Sequence, residues 1–211
     1  MSKQQLIKTE NSHIFISGQT GSGKSHFAMN GIAGIRYPAI YINIEDEKLP
    51  GRFIKVRSDD AEIDQLIDGL KHGAKFDLKM PVNKARSNAI TGFIIDQLMI
   101  AGFSENRPVY IVLDECHLLE GFGLKKAIEA ATRGRKRGVR CIFITQRPAL
   151  ASKTLYTQSQ HQYIFYLPAS EKEYLKNKGL DYEKCLEMWQ RMGRFSYIYY
   201  DGYKYEGRAA I

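Results

Sequence analysis

Eight residues constrain this chain more than any others: Gly18, Gln19, Thr20, Gly21, Ser22, Gly23, Lys24 and Ser25. They fill the pattern G-x-x-x-x-G-K-[ST], whose glycines let the backbone wrap closely and point its N–H groups inward at phosphates. Such a loop needs a strand before it and a helix after it. "HIFISG" (13–18) is a β-rich apolar run that stops at glycine, and "KSHFAMNGIAG" (24–34) has helical character. The helix start adds the positive end of its dipole. Lys24 is then expected to reach the β- and γ-phosphates and Ser25 to ligate magnesium, with His26 completing the nucleotide-contacting set. The stretch predicts a nucleoside triphosphate site, with ATP and Mg2+ as cofactors.

The rest of the chain alternates strand and helix signals. Strands are predicted over 37–46, 52–58, 109–115, 139–145 and 162–167. Residues 60–73 place Ile63, Leu66, Ile67 and Leu70 on one helical face, with acids near the start and Gly73 past the end. A second amphipathic helix covers 83–103, with Gly92 a weak point in it, and a basic helix covers 123–138. Residues 149–160 read as a short helix or loop, while 170–179 and 181–192 read as helices. In the tail, Asp201-Gly202 sits between tyrosine-rich runs, a hairpin signal of the type I′ kind. The alternation implies an α/β fold: a mostly parallel sheet covered by helices on both faces, plus a small C-terminal β-hairpin. The 211 residues suit one domain over 1–211, with a core at about 12–168 and the C-terminal helices and hairpin at 169–211.

Composition narrows the partners. Apolar residues make up 44% of the chain, which predicts a packed globule rather than disorder. The 31 Lys and Arg against 23 Asp and Glu leave a net charge of +8, which favours a polyanionic partner. Cys116, Cys141 and Cys185 are far apart and form no CxxC, so they read as reduced thiols rather than a disulfide frame or zinc site. The N-terminus has no apolar signal region, and no apolar run approaches ~18 residues, so neither secretion nor a transmembrane segment is expected.

A phosphate loop needs a second carboxylate for the magnesium shell, usually at the end of a neighbouring buried strand. In "VYIVLDECHLLEG" (109–121) Asp114 is placed for that, and Glu115 can orient, or take a proton from, the water that attacks the γ-phosphate. A small-molecule kinase has no need of Glu115, because its substrate supplies the nucleophile. The letters "DECH" also occur in helicases, and "QRMGR" (190–194) resembles the arginine motif of their second half. Only about 75 residues separate the two motifs, too few for the intervening strands and helices of a second RecA-like half. His117 then reads as a local hydrogen-bonding residue, with a coupling role as the alternative, and "WQRMGR" as an ordinary basic helix end.

The strand after the acids ends in "CIFITQRP" (141–148), where the amide of Gln146 can sense the γ-phosphate or orient the water. P-loop, "DE" strand, basic helix and a strand ending in Thr-Gln-Arg-Pro follow in the order that resembles the FtsK/HerA superfamily of DNA pumps. The chain looks most like the genome-packaging ATPases of tectiviruses and other internal-membrane viruses, over roughly residues 12–168. The resemblance implies a RecA-like P-loop NTPase core and a homo-oligomeric ring, a hexamer favoured, that pumps double-stranded DNA into a preformed capsid. It further implies capsid vertex or portal proteins as partners, and a place in the host cytoplasm or on the virion.

Residues 125–140 carry seven basic side chains against the single acid Glu129. The family layout puts a trans-acting arginine just before the next strand, which makes Arg133, Arg135 and Arg137 candidates, with Arg147 a fourth. Other basic residues here suit DNA phosphates, since a genome pump ignores sequence. The alternating Tyr197, Tyr199, Tyr200, Tyr203 and Tyr205 read as strand packing before base stacking. Rival readings are a pump for plasmid transfer or chromosome segregation, a filamentous-phage assembly ATPase, a small nucleoside kinase and a nucleotide-gated scaffold.

Overall fold

The computed structural model describes residues 12–44, 48–49, 53–58 and 62–209. Nine strands form one sheet: β1 (His13–Ser17), β2 (Ala39–Asn43), β3 (Ile54–Arg57), β4 (Lys75–Lys79), β5 (Val109–Leu113), β6 (Val139–Thr145), β7 (Ser159–Phe165), β8 (Tyr197–Tyr200) and β9 (Tyr205–Arg208). Their spatial order is β3-β4-β2-β5-β6-β1-β7-β8-β9. The first seven run parallel, and β8 and β9 add an antiparallel edge. The tips of β1, β5 and β6 therefore share one edge, where open parallel sheets bind their ligands.

Side chains alternate across the sheet with a period of two, so each central strand feeds two cores. On one face Ile14, Ile16, Tyr41, Val112 and Ile142 pack under Phe27, Ala28 and Ile32 of α1 (Lys24–Gly34). On the other face Phe15, Ile42, Ile111, Leu113 and Phe143 share a core with α2 (Ile63–Lys71), α3 (Lys84–Ala101), α4 (Gly121–Arg133), α5 (Lys153–Thr157), α6 (Lys172–Lys176) and α7 (Tyr182–Met192). Both faces are covered, so β5 and β6 are apolar almost throughout and buried at every residue. Truncating Leu98 of α3, which is fully buried between α3 and the sheet, would cost about 2–5 kcal/mol.

The structure corrects several local expectations. Gly92 does not weaken α3: a Cβ there would stand 2.4 Å from Phe122 Cδ1, so the glycine is the slot that seats the start of α4. Strand β4 is not among the expected strands, since Lys75, Asp77 and Lys79 interrupt its apolar pattern. Its charges are instead partnered inside. Asn43 Nδ2 donates to Asp77 Oδ1 at 2.8 Å, and Lys75 Nζ donates to the carbonyls of Ala33 and Ile35 at the negative end of α1. Burial lowers the Lys75 pKa. β7 begins at Ser159, three residues before the expected start, and ends at Phe165. The expected positions 45–46, 52 and 60–61 lie outside the described residues.

The C-terminal hairpin is present, but its turn is not type I′. Within it only Gly202 has a positive φ, at 94°, and Asp201 uses its carboxylate to accept the N–H groups of Tyr203 and Lys204. Tyr197 and Tyr199 are packing residues, as their alternation implied. Tyr197 meets Phe27 at 4.9 Å between ring centroids and Phe165 at 5.3 Å. Tyr203 points to solvent. Burial holds Cys141 up to about 12 and Cys185 up to about 11, and all three thiols are buried.

Candidate nucleotide-binding site

The glycine loop leaves β1 at Gly18 and is tied to both neighbouring strands. Gly18 N–H donates to the carbonyl of Thr145, the last residue of β6, and Gln19 N–H to the Tyr166 carbonyl just past β7. Gly23 caps α1 at φ 91°, and a Cβ there would lie 2.9 Å from Phe195 Cδ1. Conformation and space both demand glycine at that position. Lys24 is buried at the first helical residue, its Nζ 3.9 Å from Glu115 Oε1. Ser25 is half-buried beside it, while His26 is exposed and pairs along the helix with Asn30 at 2.9 Å.

β5 delivers the two acids to the same edge. Asp114 Oδ2 accepts the Tyr41 hydroxyl at 2.5 Å, and Oδ1 accepts the Glu115 N–H at 2.9 Å. Burial raises the Asp114 pKa, and the neighbouring Glu115 charge adds to this against the opposing pull of Tyr41 and Lys24. Glu115 itself sits in the left-handed region at φ 46°, ψ 45°. That conformation costs a non-glycine residue roughly 1–2 kcal/mol. The Leu118 N–H donated to the Glu115 carbonyl at 2.8 Å helps hold it. The sharp turn aims the carboxylate back across the tip of β6.

There Glu115 is the hub of a polar chain. Gln146 donates its side-chain amide to Oε1 and its backbone N–H to Oε2. The Gln146 side-chain oxygen Oε1 accepts the Thr20 hydroxyl of the glycine loop. On the far side, His117 Nδ1 lies 3.1 Å from Glu115 Oε2 and 3.0 Å from Thr145 Oγ1. Burial pushes the Glu115 pKa up, but the His117 hydrogen bond, the Lys24 charge and the Gln146 amide outweigh it and hold the group below its usual value. Glu115 is therefore ionised at neutral pH and aimed at the phosphate loop.

The structure thus brings together Lys24, Asp114, Glu115 and Gln146 with the loop residues Gly18 to Ser25. It does not bring Arg133, Arg135 and Arg137 to them. Those three stand at the end of α4 and in the tight turn before β6, at the opposite end of the sheet. The seven residues of β6 separate them from Gln146 by on the order of 20 Å. All three are exposed, and Arg137 donates to the Met99 carbonyl at 3.0 Å. Arg147 is exposed on the nucleotide edge, followed by Pro148 at the start of a short turn.

Sequence reasoning passed over Tyr41, gave His117 little weight, and read "WQRMGR" as a helix end. That segment closes one flank of the loop. Trp189, Gln190, Gly193 and Arg194 line a cavity of about 470 Å³ together with Gln19 to Ser22. The arginine-bearing resemblance in "QRMGR" was the one sequence signal pointing to a nucleotide contact there, though in this fold it has no second half to belong to.

No protein-family model and no curated protein sequence matches the chain. Solved structures do. The genome packaging NTPase B204 from Sulfolobus turreted icosahedral virus 2, in complex with AMPPCP, matches with a TM-score of 0.70 at 13% identity, over 95% of this chain and 98% of that one. EssC (ATPases 2 and 3) from Geobacillus thermodenitrificans matches with a TM-score of 0.54 at 13% identity, over 96% of this chain and 40% of that one. The pCW3 conjugation coupling protein TcpA matches with a TM-score of 0.54 at 12% identity, over 96% and 60%. With its mostly parallel sheet, edge hairpin and glycine loop between β1 and α1, the chain has the P-loop fold of these packaging and coupling ATPases, as the order of its motifs implied.

Proposed function

We infer that this chain is an ATPase that uses hydrolysis to move double-stranded DNA, as the packaging motor of a virus. The observation that carries the reading is the continuous polar link from Thr20 through Gln146 to Glu115, with Lys24 and Asp114 beside it. It joins the phosphate loop to a buried, ionised carboxylate with no second substrate needed. Backbone N–H groups of residues 18–25 and the Lys24 ammonium hold the triphosphate. Glu115 orients the attacking water, and Gln146, bonded to both the loop and the carboxylate, reports whether the γ-phosphate is present.

Ser25 and Asp114 offer a hydroxyl and a carboxylate, the hard oxygen donors that suit Mg2+, which keeps waters and phosphates in its shell rather than an all-protein cage. Among the described residues no three His, Cys, Asp or Glu cluster as such a cage. When bound, the ion neutralises charge on the phosphates. It would also offset the cost of ionising the buried Asp114.

DNA as cargo is supported by the net charge of +8, by the exposed basic turn before β6, and by likeness to a DNA-packaging ATPase over that protein's whole length. A homo-oligomeric ring, a hexamer favoured, is supported by the position of Arg133, Arg135 and Arg137. They lie at the wrong end of the sheet for their own loop, so any γ-phosphate they serve belongs to a neighbour. The capsid vertex or portal is the expected docking partner, and host cytoplasm or virion the expected place. No helix of the described residues is long and apolar enough to cross a membrane.

The test is ATP hydrolysis by the purified protein with and without double-stranded DNA, with particle size measured alongside. Stimulation by DNA in an assembled particle is expected. Unstimulated activity from a monomer at every concentration would overturn the pump.

A further inference from the structure

The phosphate loop has two flanks. Glu115 and Gln146 come from β5 and β6, on one side of β1, and that side takes the γ-phosphate if the hydrolytic reading above is right. The nucleoside must then leave the loop on the other side, over β7 and β8. The cavity of about 470 Å³ opens there, bounded by Gln19 and Gly21 of the loop, Tyr166 past β7, Trp189 of α7, and Arg194 and Phe195 before β8. Its size suits a nucleoside.

Two of those residues are not arranged as packing alone would arrange them. Phe195 holds φ at 70°, the left-handed region that bulky side chains avoid, and leaves 45% of its surface exposed. Its ring lies against Gly23, and the Arg194 guanidinium stands 4.8 Å over the ring. An exposed aromatic face paired with a guanidinium is a platform on which any nucleobase stacks.

We propose that Arg194 and Phe195 form the nucleobase clamp of this site, Phe195 stacking on the base of the bound nucleoside triphosphate and Arg194 covering its ribose side. The clamp rests on the nucleotide-site reading, and it gives "WQRMGR" a role within its own subunit's site rather than in a second helicase half.

Calorimetric titration of the full-length protein in Mg2+ with AMPPCP and with inorganic tripolyphosphate tests it. Tripolyphosphate has the phosphates without the base. Phe195→Ala is expected to weaken AMPPCP about tenfold, the low end for loss of one base stack, and to leave tripolyphosphate unchanged. Phe195→Trp should retain AMPPCP binding. Arg194→Ala, at an exposed position, should weaken AMPPCP alone and serves as the second variant should Phe195→Ala fail to fold. Unchanged AMPPCP affinity in both alanine variants, or equal loss of both probes, would overturn the clamp while leaving the phosphate loop standing. A wild-type protein that binds neither probe would instead overturn the nucleotide site itself, and the clamp with it.

Discussion

Lys24 Nζ stands 3.9 Å from Glu115 Oε1, and both side chains are only 4% exposed. In the proposed reaction the cation for the phosphates and the carboxylate for the water are thus already partners within the chain. Neither is left buried and alone, a state that would cost several kcal/mol. On the proposed roles, a bound triphosphate would draw Lys24 to the new anion and leave Glu115 on its amide and imidazole donors. Glu115→Gln should therefore keep nucleotide binding and lower kcat by roughly 10²–10⁴-fold. Near-normal turnover would sink the assignment.

Asp114 carries the opposite electrostatic burden. Burial raises its pKa. Between the usual aspartate value and the raised one, the native chain binds more protons than the unfolded chain, so stability falls as pH rises through that window. Above that window the ionised carboxylate is a net cost of folding until a cation arrives. Asp114→Asn should raise the melting temperature of the ligand-free protein by about 2–4 °C for each kcal/mol relieved. The same variant should lose most of the further rise that Mg2+ with AMPPCP gives the wild type. A lower melting temperature without ligand would refute this.

His117 tunes the base. Its hydrogen bond is the largest of the influences holding the Glu115 pKa down. In the proposed role Glu115 acts ionised, so the acidic limb of the rate profile should follow that pKa. In His117→Ala the limb should move to higher pH, with kcat near neutrality reduced less than in Glu115→Gln. An unmoved limb would assign His117 to packing between Glu115 and Thr145 alone.

Lys178 offers a pH signature away from the site. Burial lowers its pKa to about 7. Its Nζ lies 4.4 Å from the Tyr156 ring centroid and 4.7 Å from that of Tyr174. The unfolded chain binds that proton up to about pH 10, so between about 7 and 10 it holds more protons than the native state, and stability should rise with pH. Denaturant unfolding at about pH 7 and about pH 9 should show this rise in the wild type and not in Lys178→Met. If both proteins behave alike, the tyrosine faces keep the ammonium charged.

The remote arginines give a test of assembly. Each of Arg133, Arg135 and Arg137 is changed to Ala in turn. One variant is expected to lose ATPase activity while still binding nucleotide. Mixing it with Lys24→Ala, itself inactive, should restore a measurable fraction, because mixed rings then contain sites with an intact loop and an intact neighbour's arginine. Full activity in all three variants would remove this segment from the trans role.

The amino-acid sequence by itself determined the parts whose physics is local. Gly18 to Ser25 announce their loop because the conformation and the anion site are made by consecutive backbone groups. The strands β5 and β6 announce themselves because burial on both faces leaves them apolar almost throughout. From these followed the α/β class and the acids at one tip. The tertiary structure decided what meets what. Tyr41 is 73 positions from Asp114, and Thr20 is 126 from Gln146, yet each pair is joined by a hydrogen bond. Strand order brings them together, since β2, β5, β6 and β1 lie side by side although they are far apart in the chain. β4 stayed hidden because Asp77 and Lys75 find hydrogen-bond partners on β2 and at the end of α1, distant in the chain. Phe195 stayed hidden because the turn before β8 becomes a wall of the cavity only once β8 pairs with β7.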